Sequence, residues 1–247
     1  MKVVMTAIRV YPFHKYGGAE IYIYNLARYL ARNGIDVKII ASTPKPKVEG
    51  TVYDGIEYEF VSPHVPTDTK RSLISYHLFN SNLSRKLFKE GFDILHSFGM
   101  TAHKYLKKRE KKGKIIVEPF GLYGTHEVKQ NFAKKCLRKL LIEKPLEYCV
   151  KNADAIAVEG NIQAKEISEK FEVSENKFIY IPDGVEIEFI EENIKKSELS
   201  REALGIGDAD IVLVNVNRLV GNKGVIYLID ALGILNKCLD VRLILIG

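Results

Sequence analysis

A chain of 247 residues with 46% apolar side chains is long enough to bury a sizeable core, and its net charge of +6 is too small an excess to point to nucleic acid. Three cysteines without a close pair, Cys136, Cys149 and Cys238, argue against a disulfide framework or a zinc cluster and fit a reducing cytoplasm. No apolar run reaches the length of a membrane span.

Residues 1–10 are apolar apart from Lys2 and Arg9, but they run straight into Pro12, His14 and a glycine pair. Without a small-residue cleavage pattern this is a buried first strand over residues 3–8, not a targeting segment. Gly17-Gly18 opens a helix to about residue 33, with Ile23, Leu26, Ala27 and Leu30 on one face. Asn33-Gly34 ends it, because glycine tolerates the left-handed conformation after a helix. A second strand follows at 35–41, then a loop around Pro44 and Pro46, then a strand at Ile56–Val61. A helix is expected over 71–90 and strands over 92–96 and 114–117. A long helical stretch at 128–150 contains Pro145, which breaks or kinks it. Strands at 154–158 and 178–181 complete the first sheet, and Pro182-Asp183-Gly184 forms a turn.

Alternation of strands and helices implies a parallel α/β sheet. Residues 1–185 form the first domain, 186–208 a polar connection, and 209–247 the start of a second. That second part holds one strand-helix-strand unit: Ile211–Val216, a helix at 225–237, and Val241–Ile246. One such unit cannot cover both faces of its own strands, so the sequence is expected to continue in another segment or polypeptide.

Gly17 and Gly18, between the first strand and the first helix, let a ligand approach the backbone, and the helix start offers N–H groups to an anion such as phosphate. The plainer reading is a tight turn that needs unusual dihedral angles. The spacing is not that of the dinucleotide-binding fingerprint.

Four stretches, in order, resemble the retaining glycosyltransferases of family 4, which have the GT-B fold. They are Gly17-Gly18-Ala19-Glu20 with the helix and strand after it; Asp93-Ile94-Leu95-His96-Ser97; the segment from Ala153 to Val158 with Ile181-Pro182-Asp183-Gly184-Val185; and Asn217-Arg218-Leu219-Val220 with Lys223-Gly224-Val225. The resemblance implies a nucleotide-sugar donor and a glycan or lipid-linked acceptor, with no metal or other cofactor. It implies that Gly17 and Gly18 lie beside the donor phosphates and that Arg218 and Lys223 neutralise them. A nucleoside diphosphate leaving group develops negative charge, which a fork-shaped guanidinium and a mobile ammonium can stabilise.

Departures from the family pattern fall where catalysis would be. Phe98 stands where many relatives have the second histidine of His-x-His, and Phe120 where many have a histidine before Gly121. His96 is left as a candidate substrate-holding or catalytic residue at the carboxyl end of its strand, alongside the alternative of a histidine hydrogen-bonded within the fold; His126 is a candidate that could reach back. The family's Glu-x7-Glu motif lies beyond Gly247. An enzyme completed by a second polypeptide is therefore one expectation, and a non-catalytic, partner-binding remnant is the alternative. Residues 132–146 interleave Lys134, Lys135, Arg138, Lys139 and Lys144 with leucines, a pattern open to a core-facing helix or to peripheral contact with an anionic membrane surface.

Overall fold

The computed structural model describes residues 1–14, 17–66, 69–108, 112–120, 136–137, 139–197 and 199–247. They divide into two compact units, Met1–Val185 and Glu186–Gly247.

The first unit is built on an eight-stranded sheet. Its strands are β1 (Lys2–Thr6), β2 (Asp36–Ser42), β3 (Thr51–Tyr53), β4 (Ile56–Val61), β5 (Ile94–Phe98), β6 (Lys114–Glu118), β7 (Ala155–Val158) and β8 (Phe178–Tyr180). The order is β3-β4-β2-β1-β5-β6-β7-β8, parallel throughout except for the β3–β4 hairpin. Val3, Val4 and Met5 of β1 are all buried because that strand is paired on both sides and covered on both faces. The expected first strand is thus found, ending two residues earlier than expected because the chain leaves the sheet after Thr6.

Alternation along the strands sends side chains into two cores. Val3, Met5, Ile39, Ala41, Ile56 and Tyr58 face α1 (Gly18–Arg32). Val4, Ile40, Leu95, Ile115 and Ile156 face α2 (Thr69–Leu87), α3 (His103–Leu106), α4 (Lys144–Asn152) and α5 (Asn161–Phe171). Helix α1 stops where expected: Asn33 caps it and Gly34 has φ 77°.

Two sequence expectations change, while Pro145 stands at the expected interruption of the 128–150 stretch: it sits in the first turn of α4, where its missing N–H leaves no bond unmade, and a π-helical turn at Lys139–Glu143 precedes it. The start of the expected 128–150 helix lies outside the described residues. Strand β5 begins two residues late, because Asp93 is spent on fastening the sheet's start: its carboxylate accepts the Lys2 backbone N–H at 2.7 Å. The β3–β4 hairpin was not anticipated; Asp54 and Gly55 both have positive φ, 50° and 75°, the geometry of a two-residue hairpin turn.

The second unit contains α6 (Ile187–Lys196) and a parallel β9-α7-β10 unit: β9 (Ile211–Val216), α7 (Val225–Leu235) and β10 (Val241–Ile246). Within this unit Val214, Val216, Ile226 and Ile229 are exposed. A lone strand-helix-strand unit has too few layers to bury them.

Candidate functional site

In an open parallel sheet, ligands bind beyond the carboxyl ends of the strands where the strand order reverses. Here that point lies between β1 and β5. The loop leaving β1 is anchored by Phe13, whose ring meets Tyr58 at 4.9 Å and Phe60 at 5.2 Å. Lys15 and Tyr16 lie outside the described residues. The loop delivers Gly17 and Gly18, both exposed, to the start of α1.

Neither glycine is there for its dihedral angles. Gly17 is extended, with φ −139°, and Gly18 is the first helical residue. A Cβ on Gly18 would meet nothing within 4 Å, and one on Gly17 only the Glu20 carboxylate at 3.4 Å. The tight-turn reading therefore loses its physical reason, while bare backbone open to an approaching group keeps its own. At present Glu20 serves this helix start. Its Oε2 accepts the Gly17 N–H at 2.8 Å, and its Oε1 pairs with Arg9 Nε at 3.2 Å.

The far side of the reversal is fastened by hydroxyls. Thr101 Oγ1 lies 2.8 Å from both Thr6 Oγ1 and Ser97 Oγ, and Ser97 Oγ accepts the Ala102 N–H at 2.9 Å. This cluster joins the end of β1 to the loop after β5. Beside it, His96 is buried, with Nε2 donating to Glu118 Oε2 at 3.0 Å. The Tyr22 hydroxyl donates to the same oxygen at 3.3 Å. His96 is thus committed to Glu118, within the fold. Two phenyl rings stack above it: His96 on Phe98 at 4.3 Å, and Phe98 on Phe120 at 5.3 Å and 11°. His126 lies outside the described residues.

Sequence reasoning missed Tyr22 and Glu118. The available signal was a carboxylate closing an apolar strand, Ile115-Ile116-Val117-Glu118, directly before a proline. Glu118 is only 2% exposed. Burial, then the Glu118 charge, pushes the Tyr22 phenol well above its usual value. Burial raises the Glu159 carboxyl, with Asp183 and Glu118 adding to the effect. The ends of β6, β7 and β8 therefore form an acidic zone, suited to accepting hydrogen bonds from hydroxyl groups. Among the described residues no three His, Cys, Asp or Glu side chains stand where they could share a metal ion.

In the second unit, Arg218 lies two residues beyond the end of β9, and Lys223 ends a short 3-10 turn, Gly221–Lys223. Gly224, with φ 69°, then starts α7. Asn217 N–H donates to the Ile246 carbonyl at 2.9 Å, which ties this loop to the end of β10. Arg218 and Lys223 are both exposed and make no ion pair with a described residue. The elements thus put both cations on one loop beyond the carboxyl end of a parallel strand.

Residues 16–189 match the sequence model of glycosyltransferase family 4. The chain belongs to glycosyltransferase family 4. The D-inositol 3-phosphate glycosyltransferase of Corynebacterium aurimucosum is 23% identical over 256 residues, an alignment covering 94% of this chain and 58% of that protein. The chain thus spans little more than half the length of that relative. Sucrose-phosphate synthase from Thermosynechococcus elongatus is similar in structure at TM-score 0.72 and 16% identity, covering 100% of this chain and 62% of that one. Anabaena HepE, solved with UDP and glucose, matches at TM-score 0.60 and 15% identity, covering 99% of this chain and 60% of that one. These likenesses give the family 4 chain a partial GT-B fold, the α/β class its strand pattern implies. No described helix is long and apolar enough to cross a membrane.

Proposed function

We propose that this family 4 chain is the acceptor-side domain and the beginning of the donor-side domain of a retaining glycosyltransferase that uses a nucleotide-sugar. The observation that carries the reading is the uncommitted state of Arg218 and Lys223, two exposed cations on a loop where the family neutralises a diphosphate. In the second unit a guanidinium fork and an ammonium are available to neutralise a leaving nucleoside diphosphate; in the first unit the N–H groups at Gly17 and Gly18 are open to an anion. Glu20 can release the Gly17 N–H without losing its counter-ion, because Arg9 already holds its other oxygen. The stabilisation needs no metal, since the chain's own cations and helix start supply the charge.

The acceptor in this reading is a glycan or a lipid-linked sugar, its hydroxyls met by the exposed carboxylates Glu159 and Asp183 beyond β7 and β8. The exposed apolar residues of β9 and α7 call for further strands and helices from a second polypeptide or a continuation of this one. A second reading, a non-catalytic partner-binding subunit, is favoured by the Phe98–Phe120 stack, which puts two rings unable to carry a proton where relatives have histidines.

Calorimetric titration of the chain with UDP, ADP and GDP tests the donor reading. Binding of at least one in the millimolar range or tighter is expected, weakened about tenfold or more by Arg218→Ala or Lys223→Ala. No heat with any of the three at millimolar concentration would overturn it. Nucleoside diphosphate release on co-expression with a polypeptide carrying Glu-x7-Glu separates the enzyme from the non-catalytic subunit.

A further inference from the structure

The β3–β4 hairpin takes no part in the candidate site, yet it gathers aromatic rings at one edge of the sheet. The register sets Tyr53 opposite Ile56 and Thr51 opposite Tyr58, so alternation sends Tyr53 and Tyr58 to the α1 face. There Phe13 meets Tyr58 at 4.9 Å and Tyr53 at 6.2 Å, edge to face in both cases, and Tyr24 of α1 meets Tyr53 at 6.1 Å. This packing fixes the rings and still leaves Tyr53 37% exposed.

Polar atoms border these rings. Asp54, at the hairpin turn, accepts the Tyr24 hydroxyl on Oδ2, and Arg28 Nε lies 3.4 Å from the same oxygen. The Arg28 guanidinium stands over the Tyr24 ring at 5.8 Å. The other Asp54 oxygen, Oδ1, takes no bond from a described residue, and the side chain is 40% exposed. The Tyr58 hydroxyl is the odd one: the residue is 1% exposed, and its oxygen has no hydrogen-bond partner among the described residues. A buried hydroxyl with its bonds unmade is costly and calls for a reason. Burial first, then its neighbours Tyr24, Asp54 and Tyr53, hold the Tyr58 phenol well above its usual value, so it stays a donor among these residues.

We propose that this hairpin edge is a separate saccharide site, which holds a neutral sugar ring against Tyr53 and bonds its hydroxyls with Asp54 Oδ1 and the Tyr58 hydroxyl. A sugar offers an apolar C–H face to an aromatic ring and hydroxyls that both donate and accept, so one molecule satisfies a phenol donor and a carboxylate acceptor together. The site selects a neutral sugar because Asp54 repels an acidic one, while Arg28 is already engaged by Asp54 and by the Tyr24 ring. Arg28 is about 15 Å along α1 from Gly18, so the edge stands apart from the helix start that the donor reading uses. The site does not rest on that reading, and its failure leaves the nucleotide titration untouched.

The experiment is calorimetric titration of the chain with maltopentaose, cellopentaose and laminaripentaose, with pentagalacturonate as the acidic arm. The chain has no tryptophan, so tyrosine emission follows the same event. At least one neutral pentasaccharide should bind in the millimolar range or tighter, and the acidic one more weakly. Tyr53→Ala should weaken binding about tenfold. Asp54→Asn should weaken it about fivefold, and asparagine tolerates the left-handed conformation of this turn, φ 50°. Tyr58→Phe separates ligand from fold: affinity should fall about fivefold while the thermal midpoint holds or rises. A lower midpoint with unchanged affinity would give that hydroxyl to the fold and overturn the proposal. No binding of any neutral pentasaccharide at millimolar concentration overturns it as well, as does binding that Tyr53→Ala and Asp54→Asn both leave unchanged, which would lie elsewhere on the chain.

Discussion

The His96 imidazole and the Glu118 carboxylate meet at 3.0 Å at the ends of adjacent strands, and Tyr22 of α1 bonds the same carboxylate oxygen. One acidic oxygen thus joins β5, β6 and the helix that opens at Gly17-Gly18. Replacing Glu118 with Gln removes the charge that both donors share, and the amide cannot satisfy them equally. A loss of about 1–3 kcal/mol is expected from urea unfolding, with Tyr22→Phe costing less, about 1 kcal/mol. An unchanged midpoint for Glu118→Gln would show that the three groups merely sit together.

Gly18→Ala separates binding from folding. The added methyl meets no atom within 4 Å and the residue is already helical, so stability should hold or rise by about 0.5 kcal/mol. If the bare backbone is there for a phosphate, nucleoside diphosphate affinity should drop all the same. Undiminished affinity in the calorimeter would remove Gly18 from the donor site.

Arg218→Ala and Lys223→Ala should leave the thermal midpoint nearly where it is, within about 0.5 kcal/mol of stability, because neither side chain has a described partner to lose. A large fall in stability would show that these cations hold the loop and do not wait for a ligand.

Lys38 is the opposite case. Its ammonium, nearly buried, bonds Glu57 and Glu59 at 2.9 Å and Glu90 at 3.1 Å. Burial opposes the charge, but hydrogen bonds to Glu59, Glu57 and Glu90 outweigh it and hold the group above the usual lysine value. Lys38→Met would leave three carboxylates facing one another, at a cost of about 3 kcal/mol by denaturant melt. A loss well under 1 kcal/mol would contradict the network.

The pH profile of stability follows from these shifts. Glu59 and Glu90 lie below their usual 4.5: burial alone would raise them, and their lysine partners more than reverse it. Their contribution is present above that value and disappears as acid protonates them. His14, His77 and His103, lowered chiefly by burial, add a loss that begins below 6.5, because the unfolded chain then binds more protons. Glu159, raised by burial, works the other way over the carboxylate range. At the alkaline end Lys38, Tyr22, Tyr58 and Cys149 are all raised, so the folded chain keeps protons that the unfolded chain gives up. Thermal melts across pH should therefore peak between about 7 and 9 and fall on both sides. A midpoint still rising beyond pH 10 would contradict the alkaline half.

The centre of the sheet was readable because strands such as β1 and β2 are buried on both faces and spell apolar runs; the less buried Ile56–Val61, Ile211–Val216 and Val241–Ile246, marked by alternating or apolar residues, agree with the structure at both ends. What escaped was local. β3 is three residues long with two of them exposed, so only the Asp54-Gly55 turn marks it. α5 hides because Ala164, Ile167 and Phe171 are thin apolar marks in a charged stretch, with Gly160 in place of a capping side chain. In the candidate site, Gly17 and Gly18 were recognisable from their place before a helix. The partnership of Tyr22, His96 and Glu118 was not, because the three are brought together only when β5, β6 and α1 converge.

The two cores lie on opposite sides of one sheet, with α1 alone over the first and α2 to α5 over the second. A guest at the start of α1 would therefore press on one core alone, and only the strands between the two would carry its influence to the helices behind them.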